Sequence, residues 1–152
     1  MASSLGADRD WTDPACPVAR TIDLVGDRWS LLIVRDAMEG ATSFTEFRQR
    51  LGIARNILAD RLRRLVEYEI LTTSTAPGGK RQVYELTAAG ADLFTTIVAL
   101  RQWGERHAFA AGEPHSALTD LAGAELVELS PRNPAGDRLG AASTRVRRVE
   151  SR

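Results

Sequence analysis

A single cysteine, Cys16, excludes any disulfide within the chain and fits a reducing compartment. Only His107 and His115 join it as soft metal ligands, and the three are scattered, so no metal site or cofactor is expected. No apolar run approaches a membrane span; the longest strict one is Leu31-Leu32-Ile33-Val34. The acidic opening MASSLGADRDWTDPA lacks the apolar stretch of a secretory signal, so a cytoplasmic protein without membrane contact is expected. Lysine is nearly absent too, one against 19 arginines among 20 basic residues, which reads as coding bias rather than function. Net charge is zero, and by itself names no partner.

What is present is ordinary globular composition, 43% hydrophobic and 26% charged over 152 residues, enough for one domain with an appendage. The charge is unevenly spread. Residues 1–40 are net −3, residues 41–81 net +4, residues 82–115 net −2 and residues 116–152 net +1. A basic segment inside an otherwise acidic or neutral chain is either a footprint for a polyanion or a solvated helix face.

Periodicity supplies the elements. Val18, Ile22 and Val25 fall on one helical face after Pro17, and Gly26 ends that helix. Asp27 caps a second helix that is apolar on two sides, the expected core helix, stopped by Gly40. Thr42 or Ser43 caps a short third helix carrying Phe44, Phe47 and Leu51. After the tight turn Leu51-Gly52-Ile53, a helix over 55–69 turns Leu58, Leu62, Leu65 and Val66 inward. Its outer face collects Asn56, Ala59, Asp60, Arg63, Arg64 and Glu67. Strands over 70–75 and 82–86 flank the basic loop Ala76–Arg81, and Thr87 caps a long helix over 88–110 with the stripe Leu93, Ile97, Leu100 and Gly104, flanked by Phe94 and Trp103. Beyond residue 110, short strands are expected at 125–129 and 144–149, around a Pro/Gly turn cluster.

A short helix, tight turn and Arg-bearing helix followed by a hairpin make a winged helix-turn-helix; a helical bundle with a surface hairpin is the plainer alternative. A helix fits the major groove, where Arg pairs with guanine and Asn with adenine. Asn56 and Arg63 stand where that contact requires, and Lys80 and Arg81 at the hairpin tip reach toward phosphate or minor groove. Ala59 and Asp60 share the base-facing side, while Thr45, Arg55 and Arg64 stand near the backbone. Asp60 either accepts from a cytosine amino group or only orients Arg63 or Arg64. Gly78-Gly79-Lys80 is not a phosphate loop: it joins strands, and Arg81 stands where Ser or Thr should follow.

Several motifs occur in order: Cys16-Pro17, Gly26-x-x-Trp29-x-Leu31-Leu32-Ile33, Phe44-x-Glu46-Phe47, Leu58-x-x-Arg61-Leu62-x-x-Leu65, Tyr84-x-Leu86-Thr87-x-x-Gly90 and Leu100-x-x-Trp103-Gly104. Over about residues 15–106 the chain resembles the HxlR-type family of bacterial transcription regulators, related to the MarR type. The resemblance implies an α+β, mainly α, winged helix-turn-helix with N- and C-terminal dimerisation helices. It implies a homodimer on double-stranded DNA, its interface mapping onto Val18, Ile22, Val25, Leu93, Ile97, Leu100 and Trp103. The sequence departs from the family at Ala54, where a capping Ser is common, at Ser43, where Arg is common, and in its longer residues 113–152.

The expected organisation is an arm over 1–14, the DNA-binding and dimerisation domain over 15–110, and an extension over 111–152, a small β ribbon or a ligand-contacting lid. The expected function is a repressor on a pseudo-palindromic operator, not an enzyme, since no acid–base pair or nucleophile motif is present. Cys16 is the candidate for redox or electrophile sensing, because a helix start favours thiolate; a structural thiol is the alternative. A non-covalent small-molecule effector at the dimer interface or the extension, and a winged-helix module for protein contact, are the alternative readings of function.

Overall fold

A computed structural model of the chain describes residues 9–150. Helix α1, Pro17–Val25, starts as the sequence demands: Pro17 occupies the first turn, and the Ala19 N–H donates to Cys16 Sγ at 3.4 Å. Its apolar side is short, and only Val25 is buried. The preceding arm is tied down by its aromatics and hydroxyls. Arg20 stacks over Trp11 at 4.7 Å, Arg9 lies over Tyr68 at 4.1 Å, and Thr12 donates twice to Asp23 at 2.9 and 2.8 Å. Of the arm expected over residues 1–14, positions 1–8 lie outside the described residues.

Helix α2, Ser30–Met38, is the core helix, with Ile33 and Val34 fully enclosed. Its start is capped from two residues away. The Asp27 carboxylate accepts from the Trp29 and Ser30 N–H groups at 3.0 and 3.1 Å and from the Ser30 hydroxyl. It also accepts from Arg61 Nε at 2.8 Å, so one side chain fastens α2 to the helix that carries Arg61.

Ser43, rather than Thr42, caps α3, Phe44–Leu51, in a capping box with Glu46. Gly52 then takes φ 62°, the left-handed conformation a tight turn needs, and Ile53 is buried behind it. Helix α4, Arg55–Glu67, follows at once, burying Leu58, Leu62 and Leu65. It ends two residues short of the expected 69, in a 6→1 bond from Ile70 N–H to the Leu65 carbonyl at 2.9 Å.

Strands β1, Leu71–Thr75, and β2, Gln82–Leu86, pair antiparallel from Leu71 with Leu86 to Thr75 with Gln82. Tyr84 N–H reaches the Thr42 carbonyl at 2.8 Å, and the Tyr84 ring meets Phe47 edge-on, which seats the hairpin on α3. Thr87 caps the next helix by accepting from Gly90 N–H at 3.0 Å. A Cβ on Gly90 would stand 2.2 Å from the Ile70 carbonyl oxygen, so only glycine allows this approach to the end of α4.

The long helix expected over 88–110 is two helices. α5, Ala88–Asp92, stops at Leu93, and α6 runs from Phe94 to His107. At the break the Leu93 N–H bonds to Gly90, three residues back rather than four, so the turn tightens there.

The chain divides between Ile97 and Val98 into two compact units; the division falls inside α6 rather than near residue 110. In the first, Val25, Ile33, Val34, Phe47, Leu58, Leu62, Leu65 and Leu71 form the centre of one hydrophobic core. In the second, residues beyond α6 form turns and extended chain, with a 3-10 turn at Ala141–Ser143. The strands expected at 125–129 and 144–149 are absent. Two isolated antiparallel bridges, Thr119 with Glu125 and Arg132 with Arg138, replace the expected ribbon. The physical reason is local: Asp120 accepts from the N–H groups of Ala122 and Ala124, and Asn133 pairs with Asp137, so each segment closes on itself before it can pair with another. Gln102 on α6 takes up the remaining backbone, donating to the Val127 carbonyl at 3.0 Å and accepting from Leu129 N–H at 2.7 Å.

Burial pushes the Asp27 carboxyl up, but bonds from Ser30, Trp29 and Arg61 outweigh it and hold it below the ordinary aspartate range. A carboxyl depressed in the folded state contributes stability at neutral pH that is lost as pH falls through its folded value. Asp27→Asn is expected to cost about 1–2 kcal/mol at neutral pH, the pair's partial exposure keeping the figure modest. In urea melts across pH, the gap to wild type should close as acid protonates Asp27 in the native protein; a gap that persists in acid would mean the carboxylate charge is not what holds α2 to α4.

Candidate nucleic-acid interface

The interface is built outward from the buried side of α4. With Leu58, Leu62 and Leu65 locked inward, the 100° step per residue turns Asn56, Ala59, Arg63 and Arg64 to solvent, and Arg55 is exposed because it stands at the helix start. Asn56 makes no side-chain hydrogen bond among the described residues, leaving the first turns of the outer face open.

Asp60 is the exception on this face. Half-buried, it meets Arg61 Nη1 at 2.6 Å, Arg63 Nη2 at 2.8 Å and Arg64 Nε at 3.1 Å. The hydrogen bond from Arg63 holds its carboxyl below the ordinary range, with the charges of Arg64 and Arg61 adding to the effect. Both oxygens are therefore occupied. Of the two roles expected for Asp60, these contacts fit the orientation of arginines, since Oδ1 meets Arg63 and Oδ2 meets both Arg61 and Arg64. Arg63 also reaches Glu67 at 2.6 Å, and its Asp60 and Glu67 partners raise its own pKa.

The start of α4 carries no side-chain cap, because Ala54 has nothing to offer. Beside it, Phe44, Thr45, Arg48, Gln49 and Arg55 line an open cleft of about 340 Å³. Arg55 stacks over the Phe44 ring at 5.3 Å. Neither Arg48 nor Arg55 has an acidic partner among the described residues, so their charges face solvent. Thr45 and Arg55 were expected here; Arg48 and Gln49 were not. Their signal in the sequence was only a basic run on α3, indistinguishable from a solvated face until α3 and α4 are packed.

The hairpin loop presents Lys80 and Arg81, both exposed. Its turn is closed by Ala76 N–H to the Arg81 carbonyl at 2.7 Å, with Gly78 and Gly79 at φ 102° and 83°.

The residues expected at a dimer interface separate into two groups. Val18 (70% exposed), Ile22 (59%), Leu100 (53%) and Trp103 (59%) stand in solvent, a high exposure for large apolar side chains. Val25 does not belong with them: it is 3% exposed and packs in its own core, because the last turn of α1 faces inward. Leu93 packs partly on that core as well, and Ile97 is half-buried. Cys16 is half-buried at the start of α1.

Comparison with known proteins agrees with this geometry. The profile of the HxlR-like helix-turn-helix family matches residues 24–111. The uncharacterized HTH-type transcriptional regulator Rv3095 of Mycobacterium tuberculosis is 45% identical over 93 residues, 59% of this chain and 58% of that protein, so the match spans little more than half the relative's length. The crystal structure of PA1607, a candidate transcription factor, is 48% identical with a TM-score of 0.84, covering 89% of this chain and 96% of that one. The redox regulator HypR in its reduced form is 26% identical with a TM-score of 0.58, covering 61% of this chain and 94% of that one.

The wing yields a direct expectation. Contacts to phosphate release counterions and carry little sequence information. Replacing Lys80 and Arg81 together with Ala should weaken binding to duplex DNA of any sequence and flatten its salt dependence by roughly one to two phosphate contacts per wing. Fluorescence anisotropy over a salt series reads both quantities, and an unchanged slope removes the wing from the DNA.

Proposed function

Because the chain belongs to the HxlR-like helix-turn-helix family of transcription regulators, we propose that it is a sequence-specific repressor that binds a pseudo-palindromic operator in the cytoplasm as a homodimer. The observation that carries the reading is α4 itself: three buried leucines fix its roll, and the face opposite offers Asn56 and Ala59 open to solvent, with Arg63 exposed beside them in its pairs with Asp60 and Glu67. Asn56 reads adenine and Arg63 reads guanine, Arg63 exchanging Glu67 for the base edge. Arg55, Arg64, Thr45, Lys80 and Arg81 hold the backbone. Asp60 contributes by holding Arg63 and Arg64 at a set angle.

The dimer joins α1 and α6 of the two copies through Val18, Ile22, Leu100 and Trp103, with Ile97 at the margin. It sets two α4 helices at the spacing of about 34–36 Å that successive major grooves require. A compact dimer on a promoter represses by occupying it. No catalysis is assigned to the chain; its family is one of regulators.

Two measurements test this reading. Operator fragments selected from genomic DNA should lose about 1–3 kcal/mol of affinity for Asn56→Ala or Arg63→Ala, with a much smaller loss on random DNA. Equal loss on both sequences would assign these residues to phosphate. For the dimer, Leu100→Glu places a carboxylate on the exposed face without disturbing the protomer core. Sedimentation should then show folded monomers and operator affinity should fall at least about tenfold, since the half-sites are uncoupled; an intact dimer places the interface elsewhere.

A second reading concerns control. Cys16 caps the helix whose exposed Val18 and Ile22 enter the proposed interface, and HypR, a redox regulator, shares the fold. Oxidation by diamide, which takes up two electrons and two protons as two thiols join, would link or displace α1 across the dimer. Operator release on diamide in wild type and not in Cys16→Ser supports a sensor; identical responses make the thiol structural.

A further inference from the structure

Helix α6 has a second face, separate from the one assigned to the dimer. Stepping 100° per residue, Val98, Arg101, Gln102 and Glu105 share one side, while Leu100, Trp103 and His107 share the other. The first side is covered by the chain's own extension. Arg101 Nη1 donates to the Ser116 carbonyl and hydroxyl at 2.9 Å each, and Gln102 grips the backbone at Val127 and Leu129. Between helix and extension these anchors leave a cavity of about 290 Å³. Its apolar wall is Val98, Leu118 and Leu126, with Val98 itself buried.

We infer that this cavity is a binding site for a small organic cation with an apolar body, the non-covalent effector of the regulator. The volume lies at the small end of ligand pockets, roughly 300–1,000 Å³, so it suits a molecule of about one ring. Two carboxylates line it, Glu105 and Glu125, and neither has a hydrogen bond or ion pair among the described residues. The one lining arginine, Arg101, is committed to Ser116. His115, also on the wall, points Nδ1 at the Ser116 carbonyl, 3.1 Å away. Two carboxylates against one committed guanidinium set a surplus of acidic groups beside an apolar surface. That combination favours an amine over a neutral or anionic molecule of the same shape. Because the occupied face of α6 is not the Leu100 and Trp103 face, the site stays available when two copies associate through the latter.

The effector role rests on the regulator reading above; ligand binding does not, so it is titrated on the full chain without DNA. Benzylamine, benzyl alcohol and benzoate serve as probes of matched size, read by calorimetry and by thermal shift. Benzylamine should bind at least about tenfold more tightly than either of the others. Glu105→Gln with Glu125→Gln should remove that preference while leaving the melting temperature of the free protein unchanged, since neither carboxylate bonds to the chain. Leu118→Trp, which fills the cavity from its apolar wall, should abolish binding of all three. Equal affinity of the wild type for the three probes, no binding by benzylamine, a benzylamine preference that survives the double Gln variant, or benzylamine binding that survives Leu118→Trp overturns the assignment. Loss of operator binding by Arg63→Ala with benzylamine affinity intact would show that the two readings stand or fall separately.

Discussion

The Asp27–Arg61 contact is the constraint on which the reading head depends. One carboxylate, at 2.8 Å from Arg61 Nε, caps α2 and pins α4 to it. Hydrophobic burial of Leu58, Leu62 and Leu65 decides which side of α4 faces in, but burial is non-directional and tolerates sliding along the axis. A charge-assisted hydrogen bond with fixed length and angle removes that freedom. The roll and the height of α4 are therefore both set by groups on its inner side.

A second carboxylate, Asp60, organises the outer side of the same helix. It gathers three arginines whose mutual repulsion would otherwise spread them, and it does so from a half-buried position that solvent screens only in part. The start of α4 is the opposite case. Ala54 supplies no cap, Arg55 is the first residue of the helix, and Arg48 lines the same cleft, neither arginine having an acidic partner among the described residues. Positive charge at a helix N-terminus is unfavourable for the free protein. An anion at this end relieves it, so a feature that costs stability alone suits a surface meant to meet a polyanion.

Helix α6 serves two masters by having two faces. The side with Val98, Arg101 and Gln102 is satisfied within the chain, through side chains that complete the backbone bonding of an extension with little regular structure of its own. The other side keeps Leu100 and Trp103 in solvent.

Much of the architecture is legible in the sequence because it is set by local rules. Periodicity placed α1 to α4 and the hairpin within a few residues, and the caps at Ser43 and Thr87 follow from residue chemistry at helix starts, whereas the Cys16 cap on α1 is seen only in the structure. The outward face of α4 follows from the inward one by geometry alone. What the sequence could not decide were matters of partnership. Leu126, Val127 and Leu129, and Val146 and Val149, give these segments the look of short strands, but a strand exists only where another strand accepts its bonds, and at Val127 and Leu129 the Gln102 side chain takes them instead. Val25 shares a helical stripe with Val18 and Ile22, yet the fold turns it into the core and leaves them out. Asp60 is one of several charges on the outer face of α4 in the sequence; only the folded chain brings three arginines together on it. Local preference acts over a turn or two of chain and is written in the residues there, whereas the choice of partner depends on groups distant in sequence, and only the packed tertiary structure brings them together.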